Sequence, residues 1–354
     1  MADAHEKGRP LLPEVVVRTL VASCLVLAAA AAAIAAEEGY HLLKTIPVPG
    51  DGGWDYLIAD DAARRLYVSH GNRVDVLDID SNEVKGTIGD LKGVHGVALA
   101  PDLGRGFISD GRANNVRIFD LKTLKPLGDV ETGKNPDAIV YDPATKRVFA
   151  FNGRDGSATV IDAAEGKAAG TIDLGGKPEF AAADGAGNVF ANLEDKDAVV
   201  KIDAKKMTVL ERWPLAPGEE PSAMAMDAKT NRIFIGCHNK MMVVVNAETG
   251  KVVDHQPIGE GVDAAAFDPE TGMVFFSCGD GTVTVIHEDG PDKYGVAETV
   301  KTKPKSRTMA LDRKTHDLFL PSADFKPAAA PTADNPRPRP AMVPGSFAVL
   351  RFGK

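Results

Sequence analysis

Short apolar runs separated by turn residues follow one another along almost the whole chain, most clearly between residues 135 and 180. Four runs lie in this stretch: Ala138–Tyr141, Arg147–Phe151, Ala158–Asp162 and Ala168–Leu174. Continuous or alternating apolar runs of this length are typical of β-strands. Four such strands within roughly 40 residues, repeated along the chain, indicate one blade of a β-propeller.

The same pattern occurs seven times. Each first strand ends at a matching turn position, and successive positions are separated by 41, 41, 42, 43, 41 and 44 residues. A second strand with an aromatic residue follows each of these turns, and no segment after residue 36 shows a helical period of 3.6. The sequence therefore predicts an all-β fold. The turn positions are Asp60, Pro101, Asp142, Asp184, Asp227, Asp268 and Asp312.

The two ends of the repeat array complement each other. The seventh unit has only three strands before the chain stops at Lys354, and the strand Tyr40–Val48 precedes the first unit. If Tyr40–Val48 supplies the missing fourth strand, the ring closes and no sheet edge stays unpaired. We therefore predict a seven-bladed β-propeller of four-stranded antiparallel blades, closed by the N-terminal strand completing the last blade.

The first 36 residues read as a targeting segment. Lys7, Arg9 and Arg18 precede the uncharged stretch Thr19–Ala36, which ends in small residues. A basic region, an apolar region and an Ala-x-Ala site are typical of a secretory signal peptide. The alternative is an uncleaved N-terminal membrane anchor, since the stretch is close to the minimum spanning length. We expect residues 37–354 to form the propeller in the periplasm, free or anchored to the inner membrane.

The net charge of the chain limits the class of partner that the protein is expected to bind. A formal net charge of −9 argues against a general nucleic-acid partner, which requires clustered Lys and Arg. Contact with a membrane is expected only through an uncleaved N-terminal segment. We expect a monomer whose partner is a small polar ligand or another exported protein.

Particular motifs connect the chain to a known family. The string VYDPATKRVFAFNG at residues 140–153, Leu66–Gly71 and the turn Thr249-Gly250-Lys251 resemble the YVTN repeat. The resemblance covers Tyr40–Phe352 and is greatest to YncE-like periplasmic YVTN propellers. It is weaker to haem d1-type and seven-bladed lactonase propellers. The resemblance implies the fold and an exported location, and the family supplies no agreed reaction.

One insertion interrupts the seventh unit. Residues 323–346 are rich in Pro and Ala, which predicts an extended segment without helix or strand. The insertion lies between the second and third strands, on the face that carries the loops between blades. It is either a lid or partner arm, or a surface loop with no special role.

Equivalent positions in the repeats predict two rings of polar residues at one mouth of the central channel. The first ring lies near the start of each first strand, with Glu220 close by. The second lies at the ends of the second strands. The first ring is Asp55, His95, Asp137, Glu179, Ser222, Asp263 and Arg307, and the second is His70, Asp110, Asn152, Glu194, His238 and Cys278.

Several chemistries fit these rings. Carboxylates, imidazoles and an arginine can bind a polar ligand, ligate a metal or transfer protons. Carboxylates gathered in a channel should have coupled, raised pKa values. The alternative is that the loops at a channel mouth are polar only because they face solvent.

We therefore predict an exported binding or scaffolding module that holds a small polar ligand, a cofactor or a partner protein at the channel mouth. One alternative is a lactonase-like hydrolase or isomerase with His70 or His95 as base and Arg307 holding a carboxylate. Another is a haem d1 or metal-handling propeller with histidine ligands. The sequence identifies no cofactor and assigns no metal site. The predicted ligand-binding residues are Asp55, His70, His95, Asp137, Asn152, Glu179, Glu194, Glu220, His238, Asp263 and Arg307.

Cys237 and Cys278 occupy equivalent positions in adjacent units. Their strands should be too far apart for a disulfide, which needs Cα atoms within about 7 Å. Buried free thiols are therefore the first expectation. A disulfide, or a metal site shared with His238, His70 or His95, remains open.

Overall fold

Seven sheets of four antiparallel strands form a ring in the part of the chain that the structure describes. The computed structural model describes residues 39–290, 292–328 and 338–354, and Tyr40–Gly353 form one unit. The predicted signal peptide or anchor, residues 1–36, lies outside the described residues. Among those that are described, no helix is long and apolar enough to cross a membrane.

The first strand, β1 (His41–Pro47), precedes the first complete blade. Blade 1 contains β2 (Trp54–Asp60), β3 (Arg65–His70), β4 (Arg73–Asp78) and β5 (Val84–Ile88). Blade 2 contains β6 (Val94–Ala100), β7 (Arg105–Asp110), β8 (Asn115–Asp120) and β9 (Pro126–Glu131). Blade 3 contains β10 (Pro136–Asp142), β11 (Arg147–Asn152), β12 (Ser157–Asp162) and β13 (Lys167–Asp173).

Blade 4 contains β14 (Pro178–Ala183), β15 (Asn188–Leu193), β16 (Ala198–Asp203) and β17 (Thr208–Pro214). Blade 5 contains β18 (Pro221–Asp227), β19 (Arg232–Cys237), β20 (Met241–Asn246) and β21 (Val252–Pro257). Blade 6 contains β22 (Val262–Asp268), β23 (Met273–Cys278), β24 (Thr282–Gly290) and β25 (Lys293–Lys301). Blade 7 adds β26 (Ala310–Asp312), β27 (Asp317–Ser322) and β28 (Ala348–Gly353). Short 3-10 helices lie at Pro101–Leu103 and Glu194–Lys196.

The ring closes through β1, as the sequence predicted. The strand order of blade 7 is β1, β28, β27, β26. β1 runs antiparallel to β28, with His41 opposite Gly353 and Pro47 opposite Ala348. Ile46 of β1 packs in one apolar cluster with Leu66 of blade 1 and Phe319 of blade 7. The N-terminal strand therefore joins the first and last blades, and the predicted closure is confirmed.

Replacing Ile46 with valine tests this closure. Ile46 is buried, and losing one methylene from such a site lowers the free energy of unfolding by about 1 kcal/mol. Leu43 of the same strand is 46% exposed, so Leu43→Val should change stability by no more than about 0.5 kcal/mol. Urea denaturation measures both variants. Equal effects would show that β1 does not contribute to the cooperative core.

The hydrophobic core lies between neighbouring blades. Phe149 and Val160 of blade 3, for example, pack against Val189 and Val200 of blade 4. The second and third strands of each blade are therefore largely buried on both faces. This burial explains their continuous apolar runs, since each side chain removed from water contributes about 1.5–3 kcal/mol.

The recurring aspartates fix the turn between the first two strands. Asp142 accepts a hydrogen bond from the Thr145 hydroxyl, 2.6 Å away. Side-chain contacts of this kind replace backbone hydrogen bonds in tight turns, which explains why Asp recurs at the matching positions. The same contact joins Asp227 to Thr230, Asp268 to Thr271 and Asp312 to Thr315.

The insertion lies between β27 and β28, at the predicted place in the last blade. Of its residues, 323–328 and 338–346 are described, and Phe325 and Met342 form a single β-bridge. The Phe325 ring lies 6.0 Å from that of Trp54, and the Lys305 ammonium lies 3.7 Å from the Phe325 centroid. The base of the insertion is therefore packed against the start of blade 1.

Candidate functional site

The first predicted ring lies where each inner strand begins. Asp55, His95, Asp137, Glu179, Ser222 and Asp263 are each the second residue of the inner strand of blades 1 to 6, and Arg307 lies three residues before β26. A register shift follows at this point in all six strands. A β-bulge redirects a side chain out of the regular alternation. We call these seven residues the channel-mouth ring.

His95 links three adjacent blades in the channel-mouth ring. Its Nδ1 atom lies 2.6 Å from an Asp55 carboxylate oxygen and 3.6 Å from one of Asp137. On the other side of the ring, Arg307 Nε lies 3.1 Å from Asp263, which also accepts a long hydrogen bond from Ser222. The ring members are thus brought together as the repeat spacing predicted.

A second group joins members of the two predicted rings. Lys177 forms ion pairs with both Glu179 and Glu194. His238 Nδ1 lies 3.5 Å from a carboxylate oxygen of Glu220 and 3.9 Å from one of Glu194. These four predicted residues therefore form one charged cluster around Lys177, which the repeat comparison had not included.

The ring carboxyls have strongly shifted pKa values. Loss of hydration and repulsion from Asp55 and Glu179 raise the pKa of Asp137 to about 7, against the opposing charge of His95. The same causes raise the pKa of Asp263 to about 7, although Arg307 opposes them. Desolvation also raises the pKa of Glu179. The expected upward shift is confirmed for these three carboxyls.

His95 is held as a cation at neutral pH. Desolvation alone would lower its pKa, but the hydrogen bond to Asp55 and the charge of Asp137 outweigh desolvation and raise the pKa to about 9. A general base must be unprotonated at the working pH. His95 is therefore poorly suited to the role of base that the lactonase alternative gave it.

Two aromatic residues that the repeat comparison did not include contact each other beside the ring. Tyr56 and Phe180 directly follow Asp55 and Glu179, and their rings meet edge to face with centroids 4.7 Å apart. Since blades 1 and 4 lie on opposite sides of a seven-bladed ring, this contact spans the channel. Desolvation and the surrounding carboxylates, with Asp137 the foremost, raise the pKa of Tyr56 well above 10. The sequence distinguishes these two aromatic residues, because four other blades carry a small residue at the equivalent position. These small residues are Gly96, Ala138, Ala223 and Ala264.

His70 and Asn152 differ from the expectation that they open on the channel mouth. The His70 side chain is fully buried, with Nδ1 2.8 Å from Asp75 and its ring 4.0 Å from that of Phe347. The Asn152 amide donates hydrogen bonds to Ser157 and Thr159. Both residues end second strands, which the neighbouring blades cover on both faces, so the side chains contribute to packing.

A cleft of about 420 Å³ opens beside the ring, between blades 1 and 2. Asp55 and His95 form part of its wall, together with Trp54, Lys92 and Arg112. Among the described residues, neither Lys92 nor Arg112 has an ion-pair partner. We call this space the blade 1–2 cleft. The repeat comparison missed both cations because they lie on loops outside the ring positions.

The ligand atoms for a metal are found in one place within the described ranges. One carboxylate oxygen each from Asp55 and Asp137 and one nitrogen of His95 lie within 4.8 Å of one another. Cys237 and Cys278, in contrast, are buried free thiols. Burial raises the pKa of each thiol to about 12, which disfavours the thiolate that a metal needs. The first expectation for the cysteines is confirmed, and the disulfide alternative is wrong.

The chain is similar in fold to two solved structures. One is Kuenenia stuttgartiensis Hydrazine Synthase, with 15% identity, a TM-score of 0.68, and coverage of 80% of this chain and 96% of that chain. The other is a chain of the Mitotic Checkpoint Complex, with 14% identity, a TM-score of 0.72, and coverage of 100% and 97%. No protein-family model and no curated protein matches the sequence, so the YVTN relationship stays a prediction. Similarity at this identity concerns the fold alone, and the chain is a seven-bladed β-propeller.

Proposed function

We propose that the protein is an exported ligand-binding module that holds a small anionic molecule at the channel mouth. The propeller fold supports a binding or scaffolding role in general. The observation that carries the finer proposal is the blade 1–2 cleft, whose wall includes Lys92 and Arg112, neither of which has an ion-pair partner among the described residues. Export rests on the N-terminal sequence pattern alone.

The charge distribution favours an anion in this cleft. The chain as a whole carries a net charge of −9, yet the cleft wall has Lys92 and Arg112, while the contacts of His95 are already made with Asp55 and Asp137. A guanidinium binds a carboxylate or phosphate through two parallel hydrogen bonds, and an ammonium adds a point charge. Clefts lined by one sign of charge also concentrate the opposite ion.

The aromatic wall and the insertion support a specific site over a general charged surface. Trp54 lines the cleft and is partly exposed, so it offers a flat face to an unsaturated or aromatic ligand. Phe325, at the base of the insertion, packs against the same Trp54.

Replacing Arg112 or Lys92 with glutamine tests this function. Isothermal titration of the protein with phosphate, succinate and benzoate should find at least one anion that binds, while succinamide does not. Each substitution should weaken that binding about tenfold or more, because a hydrogen bond to a charged group is worth about 1.5–3 kcal/mol.

A matched control exists in the next blade. Arg154 is exposed and lies at the same position of blade 3 as Arg112 in blade 2, since both follow the glycine after the second strand. It does not line the cleft, so Arg154→Gln should leave the affinity unchanged. If no anion binds, or if Arg154→Gln and Arg112→Gln have equal effects, the proposal is wrong.

A further inference from the structure

Two neighbouring carboxylates of the channel-mouth ring depend on one imidazole for their ion-pair contacts. Glu179 pairs with the ammonium of Lys177, which also pairs with Glu194 outside the ring, and Asp263 pairs with the guanidinium of Arg307. Asp55 and Asp137, in contrast, share the single imidazole of His95. A bound metal ion would displace the proton of His95, and one divalent cation would then balance the charge of two carboxylates and a neutral imidazole.

We propose that Asp55, His95 and Asp137 bind one divalent transition-metal ion of the Zn²⁺ class. One nitrogen and two carboxylate oxygens are a borderline donor set that suits such ions better than Ca²⁺ or Mg²⁺, which prefer oxygen ligands alone. Three protein ligands with a further position open are typical of zinc sites that also bind water or substrate.

Two of the three distances between ligand atoms are close to those of this coordination, and all three lie within 4.8 Å. Ligand atoms around a tetrahedral Zn²⁺ with bonds of about 2.0–2.1 Å are about 3.3 Å apart. His95 Nδ1 is already 3.6 Å from the Asp137 oxygen, and it is 2.6 Å from the Asp55 oxygen. The Asp55 hydrogen bond therefore has to open by less than about 1 Å, which a carboxylate rotation can supply.

The backbone next to the three ligands is held in place by hydroxyls. The Ser69 hydroxyl accepts a hydrogen bond from Asp55 N–H, and Thr308 donates to the Asp55 carbonyl. The Ser109 hydroxyl accepts from Gly96 N–H and donates to the Asp137 carbonyl, 2.6 Å away. A metal site needs ligands that are positioned before the ion arrives, and these contacts fix the strands that carry them.

The ion would lie at the wall of the blade 1–2 cleft. Asp55 and His95 line that cleft, so an open coordination position on this side would face its contents. The inference shares this wall with the proposed function but does not depend on the identity of the anion. It predicts that the ion and the anion bind side by side.

Titration with ZnCl₂ tests the site without any organic ligand. In a phosphate-free buffer, the protein freed of metal by EDTA and dialysis should bind one Zn²⁺ per chain. His95→Gln and Asp137→Asn should each weaken this binding at least about tenfold, because even partners outside the coordination shell are worth 10–100-fold. His287→Gln removes a half-exposed histidine of blade 6, 3.0 Å from Asp289, and should have no effect.

The outcomes separate the two proposals. One-to-one binding lost in His95→Gln and retained in His287→Gln supports the metal site. Absence of binding, or equal binding by wild type, His95→Gln and Asp137→Asn, overturns it. If Zn²⁺ fails to bind while an anion still binds through Arg112 in metal-free buffer, only the metal site falls. If Zn²⁺ binds and no anion does, only the proposed function falls.

Discussion

Replacing Arg64 with glutamine is expected to lower the free energy of unfolding by about 3–5 kcal/mol, because it leaves a buried carboxylate without its cation. Two guanidinium nitrogens of Arg64 contact the two oxygens of Asp312 at 2.6 and 2.7 Å. The Asp312 side chain is 0% exposed. Since Arg64 belongs to blade 1 and Asp312 to blade 7, this pair connects the first and last blades beside the closing strand.

The pair also makes stability depend on pH in a defined direction. Burial alone would raise the pKa of Asp312, but hydrogen bonds from Arg64 and Thr315 outweigh burial and hold the pKa below its usual value. A lowered folded-state pKa contributes stability above the unfolded pKa of about 3.9, and this contribution is lost as pH falls through the folded value. The Arg64→Gln variant should therefore lose less stability on acidification than wild type.

Arg313 provides the matched control at the same junction. Its Nε lies 2.7 Å from Asp61, so this pair also joins blades 7 and 1, but the Arg313 side chain is 62% exposed. An exposed pair is worth about 0–1 kcal/mol, and Arg313→Gln should cost no more than that. Urea denaturation at pH 7 gives both values. Equal losses for Arg64→Gln and Arg313→Gln would contradict the assigned role of burial.

The architecture could be predicted because its signals are local and repeated. Each turn is fixed by contacts within a few residues, such as that between Asp142 and Thr145, and so leaves the same mark in every repeat. The unpaired strand Tyr40–Val48 and the incomplete last unit together predicted that the two ends of the chain pair in one blade. Little else was needed to place the inner strands around one channel.

The site was predicted only in part, because the burial of a side chain depends on the neighbouring blade as well as on its own repeat. Counting positions located the channel-mouth ring, which starts each inner strand. The same counting put His70 and Asn152 at the mouth, although packing between blades buries them. Lys92 and Arg112 could not be identified from the sequence, since a single exposed cation in a loop does not by itself predict a binding site. Their shared position on one cleft wall is visible only in the folded structure.

The charged carboxylates of the channel-mouth ring lower the stability of the folded protein. Four carboxylates face one another there, and the raised pKa values of Asp137, Glu179 and Asp263 show that the charged forms are disfavoured. A fold selected for stability alone would place neutral side chains at these positions. Strain of this kind is concentrated at functional sites, and removing it commonly stabilises a protein.

Replacing Asp263 with asparagine is therefore expected to stabilise the protein at alkaline pH. Desolvation and the charges of Asp55 and Glu179 raise the pKa of Asp263 from 3.8 to about 7, against Arg307 and a hydrogen bond from Ser222. A raised folded-state pKa lowers stability as pH rises from the unfolded to the folded value. A shift of about three units corresponds to at most about 4 kcal/mol, and solvent screening reduces it. The variant should equal wild type near pH 4 and exceed it above pH 7.

Urea denaturation of both proteins between pH 4 and pH 9 measures this difference. Glu165→Gln serves as control, because Glu165 is an exposed turn residue outside the ring and its removal should give no pH-dependent change. A variant that is less stable than wild type at pH 8 would mean that the Arg307 ion pair outweighs the desolvation of Asp263. In that case the ring carboxylates would be stabilising contacts, and their presence would no longer indicate a binding role.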